Sequence, residues 1–232
     1  MSVFPLDERL VFPDPSLANA DGLLAIGGDL SVDRLLLAYK KGIFPWFTDN
    51  KIPFWYSPDP RCVIYPDEIH ISHSMQQLFH QHYFTVTFDT DFSGVIKQCA
   101  IVKRKKDSSS WISKDFQKAY INLHKAGYAH SVEVWKDEEL VGGLYGVSLG
   151  KCFFGESMFS KKNNASKYAL ISLAQKLLQH RFLMIDCQLP TEHLQTLGGK
   201  VITREEYLAA LKKILRYKTL MGPWSNQGVF SF

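Results

Sequence analysis

The strongest constraint on this chain lies between residues 151 and 189. KCFFGESMFS reads as a strand over 151–159, NASKYALISLAQKLLQH as a helix over 164–180, and FLMIDCQLP as a further strand over 182–189. A helix of about four turns between two strands is a crossover, and crossovers join parallel strands. Open sheets with such connections hold ligands beyond the carboxyl ends of their strands. Glu156 lies near the end of the first strand, Asp186 and Gln188 near the end of the second. Strand alternation puts residues 186 and 188 on one face. Three polar groups are therefore expected to converge at the mouth of the crossover.

Glu156 is out of place in an apolar, aromatic run, because an ionised carboxylate in a dry setting costs several kcal/mol, on the order of magnitude, without compensation. One reading is a buried ion pair; the other is a site. Asp186 and Gln188 divide in the same way. They can satisfy loop backbone groups at a strand end. Alternatively, the carboxylate orients the amide, whose oxygen aligns an amine nucleophile, where proximity and orientation supply much of the rate.

Upstream, residues 1 to 62 are rich in Pro, Gly, Trp and Phe. One helix is clear there, with Ser31 as N-cap, VDRLLLAYKK as body and Gly42 as stop. GIFPWF and IPFWYSPDPR are broken by proline and are expected to form no long regular element. The aromatic excess of this part needs a surface to bury against, so residues 1–62 read as a small domain packed on a larger one, 63–232, with SPDPR at the boundary. In the larger part a strand is expected over 84–89 and a helix from 91. A second helix is capped by Ser113, with Phe116, Ala119, Tyr120 and Leu123 on its apolar face, and HSVEVWK pairs with LVGGLYGVSLG as a hairpin. REEYLAALKKIL is the last helix.

Composition narrows the function classes. Hydrophobic residues at 46% and charged residues at 22% are ordinary globular values. A formal charge of +4 suits a polyanionic partner without requiring one. The start lacks a signal-peptide pattern, no apolar run reaches the ~20 residues that cross a bilayer, and the four cysteines form no C-x-x-C pair. A reduced, cytoplasmic protein is expected. His70 with His73 and His80 with His82 lack a carboxylate or cysteine at ligand spacing, so no metal is expected. No G-x-S-x-G elbow is present, which leaves a covalent acyl-enzyme without support. Trp46, Trp55, Tyr56 and Trp111 are core aromatics or a stacking platform for a nucleobase. KRKK at 103–106 is a solvated loop or a phosphate contact.

The stretches GLLAIGGDLSVDRLLLAYKKGIFPWF, WYSPDPR, HSVEVW, LVGGLYGV, GESMFS, NASKYAL and DCQLPTEHLQTLGG together resemble the leucyl/phenylalanyl-tRNA–protein transferases over nearly the whole chain. The resemblance implies an α+β chain with a small N-terminal domain and a GNAT-like (acyl-CoA N-acyltransferase-like) mixed-sheet domain. It implies transfer of Leu or Phe, and less readily Met, from the 3′ end of aminoacyl-tRNA to the N-terminal Arg or Lys of an acceptor protein, which marks that protein for degradation. It implies a monomer with no cofactor. Tyr39, Trp46, Trp111, Glu156, Asp186 and Gln188 match family functional positions. On that basis Gln188 holds the attacking amine, Asp186 holds the amide, Glu156 faces an ammonium group, and Trp46 and Trp111 hold the terminal adenosine. Phe153, Met158 and Leu170 line the pocket for the transferred side chain.

Two departures from the family pattern stand out. HSMQQLFHQH lacks the Lys and Arg frequent on that helix, and Leu144 and Leu173 replace bulkier side chains. An acetyl-coenzyme A enzyme would need a glycine-rich turn before the crossover helix; SKKNNAS has no glycine. A non-catalytic RNA-end or peptide-binding module would have no use for an amide backed by a carboxylate.

Overall fold

The computed structural model describes residues 3–101 and 112–226. The first part of the chain forms β1 (Phe4–Leu6), β2 (Leu23–Gly27), α1 (Val32–Lys40), β3 (Phe44–Asp49) and β4 (Ile52–Tyr56). Then follow β5 (Arg61–Ile64), α2 (His73–His80), β6 (Thr85–Phe88), α3 (Phe92–Ile101), α4 (Lys114–Lys125), β7 (Ala129–Lys136) and β8 (Glu139–Leu149). The last stretch is β9 (Cys152–Ser160), α5 (Ala165–Gln179), β10 (Met184–Gln188), α6 (Glu192–Gln195), β11 (Lys200–Ile202) and α7 (Arg204–Ile214).

Among the described residues these strands make two sheets, ordered β1-β2-β4-β3 and β11-β5-β10-β9-β8-β7-β6. The second is mixed: β9 and β10 run parallel, as the crossover requires, and the other neighbours run antiparallel. The fold is α+β. The proline-broken segments GIFPWF and IPFWY form more regular structure than their sequence suggested, as the hairpin β3–β4. Asn50 and Lys51 both take positive φ at its tip, the tight turn whose twist suits a hairpin. Pro45 is tolerated because β3 is an edge strand with a register shift between Pro45 and Phe47.

Alternation along the strands of the larger sheet builds a core on each face. Cys62, Ile64, Phe153 and Ile185 join the apolar face of α5 in one cluster. Val63, Cys152, Phe154 and Met184 point to the other, which also takes in Tyr39, Phe44, Trp55 and Tyr56 from the N-terminal part and Phe116 and Tyr120 from α4. The aromatic excess of the first residues is thus buried against the larger sheet. The helix α5 lies close on β8: a Cβ on Gly142 would stand 2.5 Å from that of Ala165. The HSVEVW motif anchors the chain's last described segment. His130 Nδ1 lies 2.8 Å from Asp89, and the Trp224 backbone N–H donates to the same carboxylate at 2.7 Å.

The helix α7 carries Tyr207 into the centre of the molecule and begins with a complete capping box, in which Thr203 and Glu206 satisfy each other's backbone N–H groups. Thr203→Ala is expected to lower the unfolding free energy by about 1 kcal/mol, measured by urea denaturation, and Thr203→Ser to restore most of it.

Candidate active site

The site is opened by two bulges at one level of the sheet. Pairing of β9 with β10 ends at Phe154 opposite Asp186. Beyond that point Tyr145 of β8 faces Ser157 and Gly146 faces Gly155, leaving Glu156 as the extra residue of β9. On the other side Val63 of β5 faces Asp186 and Cys62 faces Gln188, leaving Cys187 as the extra residue of β10. A bulge bends its strand and re-aims side chains. Here the two strands part, and Glu156 and Gln188 come together across the gap.

The expectation that residues 186 and 188 share a face is corrected by this geometry. Gln188 has φ +57, the left-handed region, so alternation fails at that residue. Asp186 is fully buried on the side away from the cavity. Arg61 grips it with two bonds, Nε–H to Oδ1 at 2.9 Å and an Nη2–H to Oδ2 at 2.7 Å, and the Tyr207 hydroxyl donates to Oδ2 at 2.8 Å. Asp186 does orient Gln188, but through the backbone: the Gln188 N–H donates to Oδ1 at 2.9 Å. The side-chain amide is held instead by Glu156, with Nε2–H donating to Oε1 at 3.3 Å.

Glu156 is half-buried, and its remaining partners come from two helices. The Tyr39 hydroxyl of α1 donates to Oε1 at 2.8 Å, and the Tyr120 hydroxyl of α4 donates to Oε2 at 2.7 Å. Burial pushes the Glu156 carboxyl up to about 7, against the pull of the two phenols; Asp186 adds to the rise and Arg61 opposes it. Tyr39, expected at a substrate-binding position, is fully buried behind this carboxylate. It lies in the aromatic core on Phe154, with ring centroids 5.0 Å apart, and acts on the site through Glu156.

Two cavities meet at Glu156 and Gln188. One, of about 330 Å³, is lined by Phe153, Met158, Leu170, Leu144, Leu173 and Ile185 among others, so the three expected pocket residues and the two departures lie together. The other, of about 220 Å³, is lined by Phe44, Pro45, Trp46 and Leu189. Glu156, Cys187, Gln188, Thr191 and Leu194 line both. Trp55 and Tyr56 are core, whereas Trp46 is half-buried at the second cavity. Trp111 and the basic run 103–106 lie outside the described residues.

Sequence reasoning missed Arg61, Tyr120 and Tyr207. Arg61 carried a signal, since it directly precedes the apolar run CVI. Tyr120 lay on an apolar helix face and read as core.

A mixed sheet whose two parted strands bring a carboxylate and an amide to the rim of an apolar pocket defines a candidate active site. The comparisons make this specific. The profile described as "Leucyl/phenylalanyl-tRNA protein transferase" matches residues 63–212, and the profile of that family's N-terminal domain matches residues 28–59. A leucyl/phenylalanyl-tRNA–protein transferase of Syntrophus aciditrophicus is 53% identical over 97% of this chain and 95% of its own. One of Desulfatibacillum aliphaticivorans is 51% identical over 97% of each chain. The chain belongs to the leucyl/phenylalanyl-tRNA–protein transferase family and is an aminoacyltransferase. A solved GCN5-related N-acetyltransferase of Anabaena variabilis aligns at a TM-score of 0.38 and 11% identity, over 78% of this chain and 43% of that structure, too distant to carry an argument. Among the described residues no helix is long and apolar enough to cross a membrane.

The buried Arg61–Asp186 pair generates a stability prediction. Asp186→Ala is expected to cost about 3–5 kcal/mol by leaving Arg61 charged and unpaired, and Arg61→Leu with Asp186→Leu is expected to recover much of that loss in urea unfolding.

Proposed function

We propose that the chain transfers Leu or Phe, and less readily Met, from the 3′ end of aminoacyl-tRNA to the N-terminal Arg or Lys of an acceptor protein by direct aminolysis. The observation that carries this reading is the meeting of an apolar and a tryptophan-walled cavity at Glu156 and Gln188. The donor's side chain enters the larger cavity between Phe153, Met158 and Leu170. An apolar pocket separates Leu, Phe and Met only modestly. The terminal adenosine stacks at Trp46, with Trp111 as its second platform. The scissile ester then lies at the junction. The acceptor amine approaches the same junction, drawn by the Glu156 carboxylate.

Gln188 positions the nucleophile. Its Nε2–H is committed to Glu156, which leaves the amide oxygen to accept from the incoming amine. Asp186 and Arg61 fix the backbone that aims this amide. The ester is already activated, so alignment supplies the rate without a covalent step. Cys187 is the thiol that lines both cavities. The contact with Cys62 and burial push it well above the ordinary thiol range, so it is a poor nucleophile. The reaction is placed in the cytoplasm, with a monomer acting on each acceptor and marking it for degradation.

The test is a transfer assay with purified protein, leucyl-tRNA and a peptide beginning with Arg, read by mass spectrometry. One added leucine on the Arg peptide and none on an Ala-start control is the expected result; inertness with both leucyl- and phenylalanyl-tRNA contradicts the reading. Gln188→Ala is expected to lower turnover by about 100-fold while leucyl-tRNA affinity, measured by filter binding, changes little. Leu173→Phe is expected to shift the Phe-to-Leu ratio toward Leu by roughly tenfold by shrinking the pocket.

A further inference from the structure

The hydroxyls of Tyr39 and Tyr120 do more than touch Glu156. They lie 2.5 Å from each other, so three oxygen–oxygen contacts close a ring: Tyr39 to Oε1 at 2.8 Å, Tyr120 to Oε2 at 2.7 Å, and Tyr39 to Tyr120. Each contact needs one proton between its oxygens. The two phenols own two. With Glu156 ionised, both protons point at the carboxylate and the phenol–phenol contact has none. With a third proton on Glu156, Oε2–H donates to Tyr120, Tyr120 donates to Tyr39 and Tyr39 donates to Oε1, and all three contacts are satisfied. The 2.5 Å approach of the two phenol oxygens therefore gives a third proton a place in the ring.

We propose that Glu156, Tyr39 and Tyr120 form a one-proton store that takes a proton from the acceptor's α-ammonium group and returns it to the leaving ribose oxygen of the donor. This rests on the transferase reading above. Tyr39 and Tyr120 are fully buried, so protons enter and leave the ring through Glu156, which alone of the three lines the cavities. Glu156 is the catalytic residue; the tyrosines are positioning residues that act through it.

Other polar groups surround the ring. Asp186 of β10 is locked to Arg61 of β5, and Tyr207 of α7 donates to Asp186. Tyr145 of β8 lies near both phenols, with its ring 5.4 Å from Tyr120, and Gln188 is uncharged. Burial keeps Tyr39 and Tyr120 protonated, well above the ordinary phenol range. An α-ammonium titrates at about 7.7–8.0, close to the value of about 7 for Glu156, so exchange between them is nearly balanced.

The steps conserve protons and charge. The ionised ring takes H⁺ from the acceptor's –NH3⁺, giving a neutral amine and a carboxylic acid. The amine's lone pair forms the N–C bond at the ester carbonyl. The C–O bond to the ribose then breaks, and Glu156 gives its proton to that oxygen. The nitrogen still carries one proton too many, and the regenerated carboxylate takes it to leave the neutral amide. The full ring releases that proton to solvent before the next cycle.

Two measurements test this. In protein labelled with carboxyl-¹³C glutamate, the Glu156 resonance, assigned by its absence in Glu156→Gln, should titrate with a midpoint near 7 in the free enzyme. Tyr120→Phe removes one donor to the anion and should move that midpoint to higher pH. Turnover at saturating donor and acceptor should rise with pH through the same midpoint and shift upward with it in Tyr120→Phe. Tyr39→Phe should do likewise, which keeps the test alive if one variant folds poorly. Glu156→Gln should lower turnover by at least about 100-fold and abolish the limb. A Glu156 resonance that titrates in the ordinary carboxylate range, or a Tyr120→Phe rate that falls equally at every pH, overturns the proton role alone. Absence of transfer by the wild-type protein at every pH overturns the transferase reading, and the proton role with it.

Discussion

The buried pair of Arg61 and Asp186 is the interaction on which the rest of the site depends. Its two parallel bonds join β5 to β10 where β10 leaves its neighbour β9. A buried ion pair is weak evidence for stability, because desolvation offsets the attraction. Its consequence here is geometric. Asp186 is held so that its Oδ1 also accepts the Gln188 backbone N–H, and that contact holds Gln188 in the left-handed conformation that turns its side chain into the gap. Phe44 and Tyr207 enclose the guanidinium from both sides, at 4.8 and 4.5 Å from its carbon. The N-terminal sheet and the last helix thereby close over one charged pair.

The second constraint is the desolvated carboxylate of Glu156. Two phenols and an amide converge on it from α1, α4 and β10, so elements far apart in sequence are tied to one functional group. The same burial that raises its proton affinity brings it into range of an amine's. In the proposed direct aminolysis, the dry pocket holds the acyl side chain, the rigid amide aims the nucleophile, and Glu156 exchanges a proton near neutral pH.

Much of this was legible in the sequence. The crossover, the helices capped by Ser31 and Ser113, and the hairpin around Asp137 follow from periodicity and turn chemistry, which are local. Phe153, Met158 and Leu170, which the family resemblance named, line the larger cavity together with Leu144 and Leu173. What escaped was set by tertiary contacts. Strand alternation gave the wrong face for Asp186 because a bulge, invisible in composition, lies between it and Gln188. Tyr120 read as core because an apolar helix face and a face that buries a phenol against a carboxylate have the same period. The prolines at 45 and 53 suggested irregular chain; Pro45 is absorbed by the bulged edge strand β3, and Pro53 lies at the start of β4, before its pairing with β2 begins.

The central claim is that the reacting carbonyl lies where the two cavities meet. The most direct measurement is a crystal structure with a phenylalanyl-adenosine analogue in which the ester is replaced by a stable 3′-amide. The account predicts the phenyl ring among Phe153, Met158 and Leu170, the adenine on Trp46, and the carbonyl carbon beside the Gln188 amide oxygen, with Glu156 facing the 3′ nitrogen. An analogue whose carbonyl lies away from Gln188 and Glu156, or whose phenyl ring stays outside the larger cavity, would contradict it.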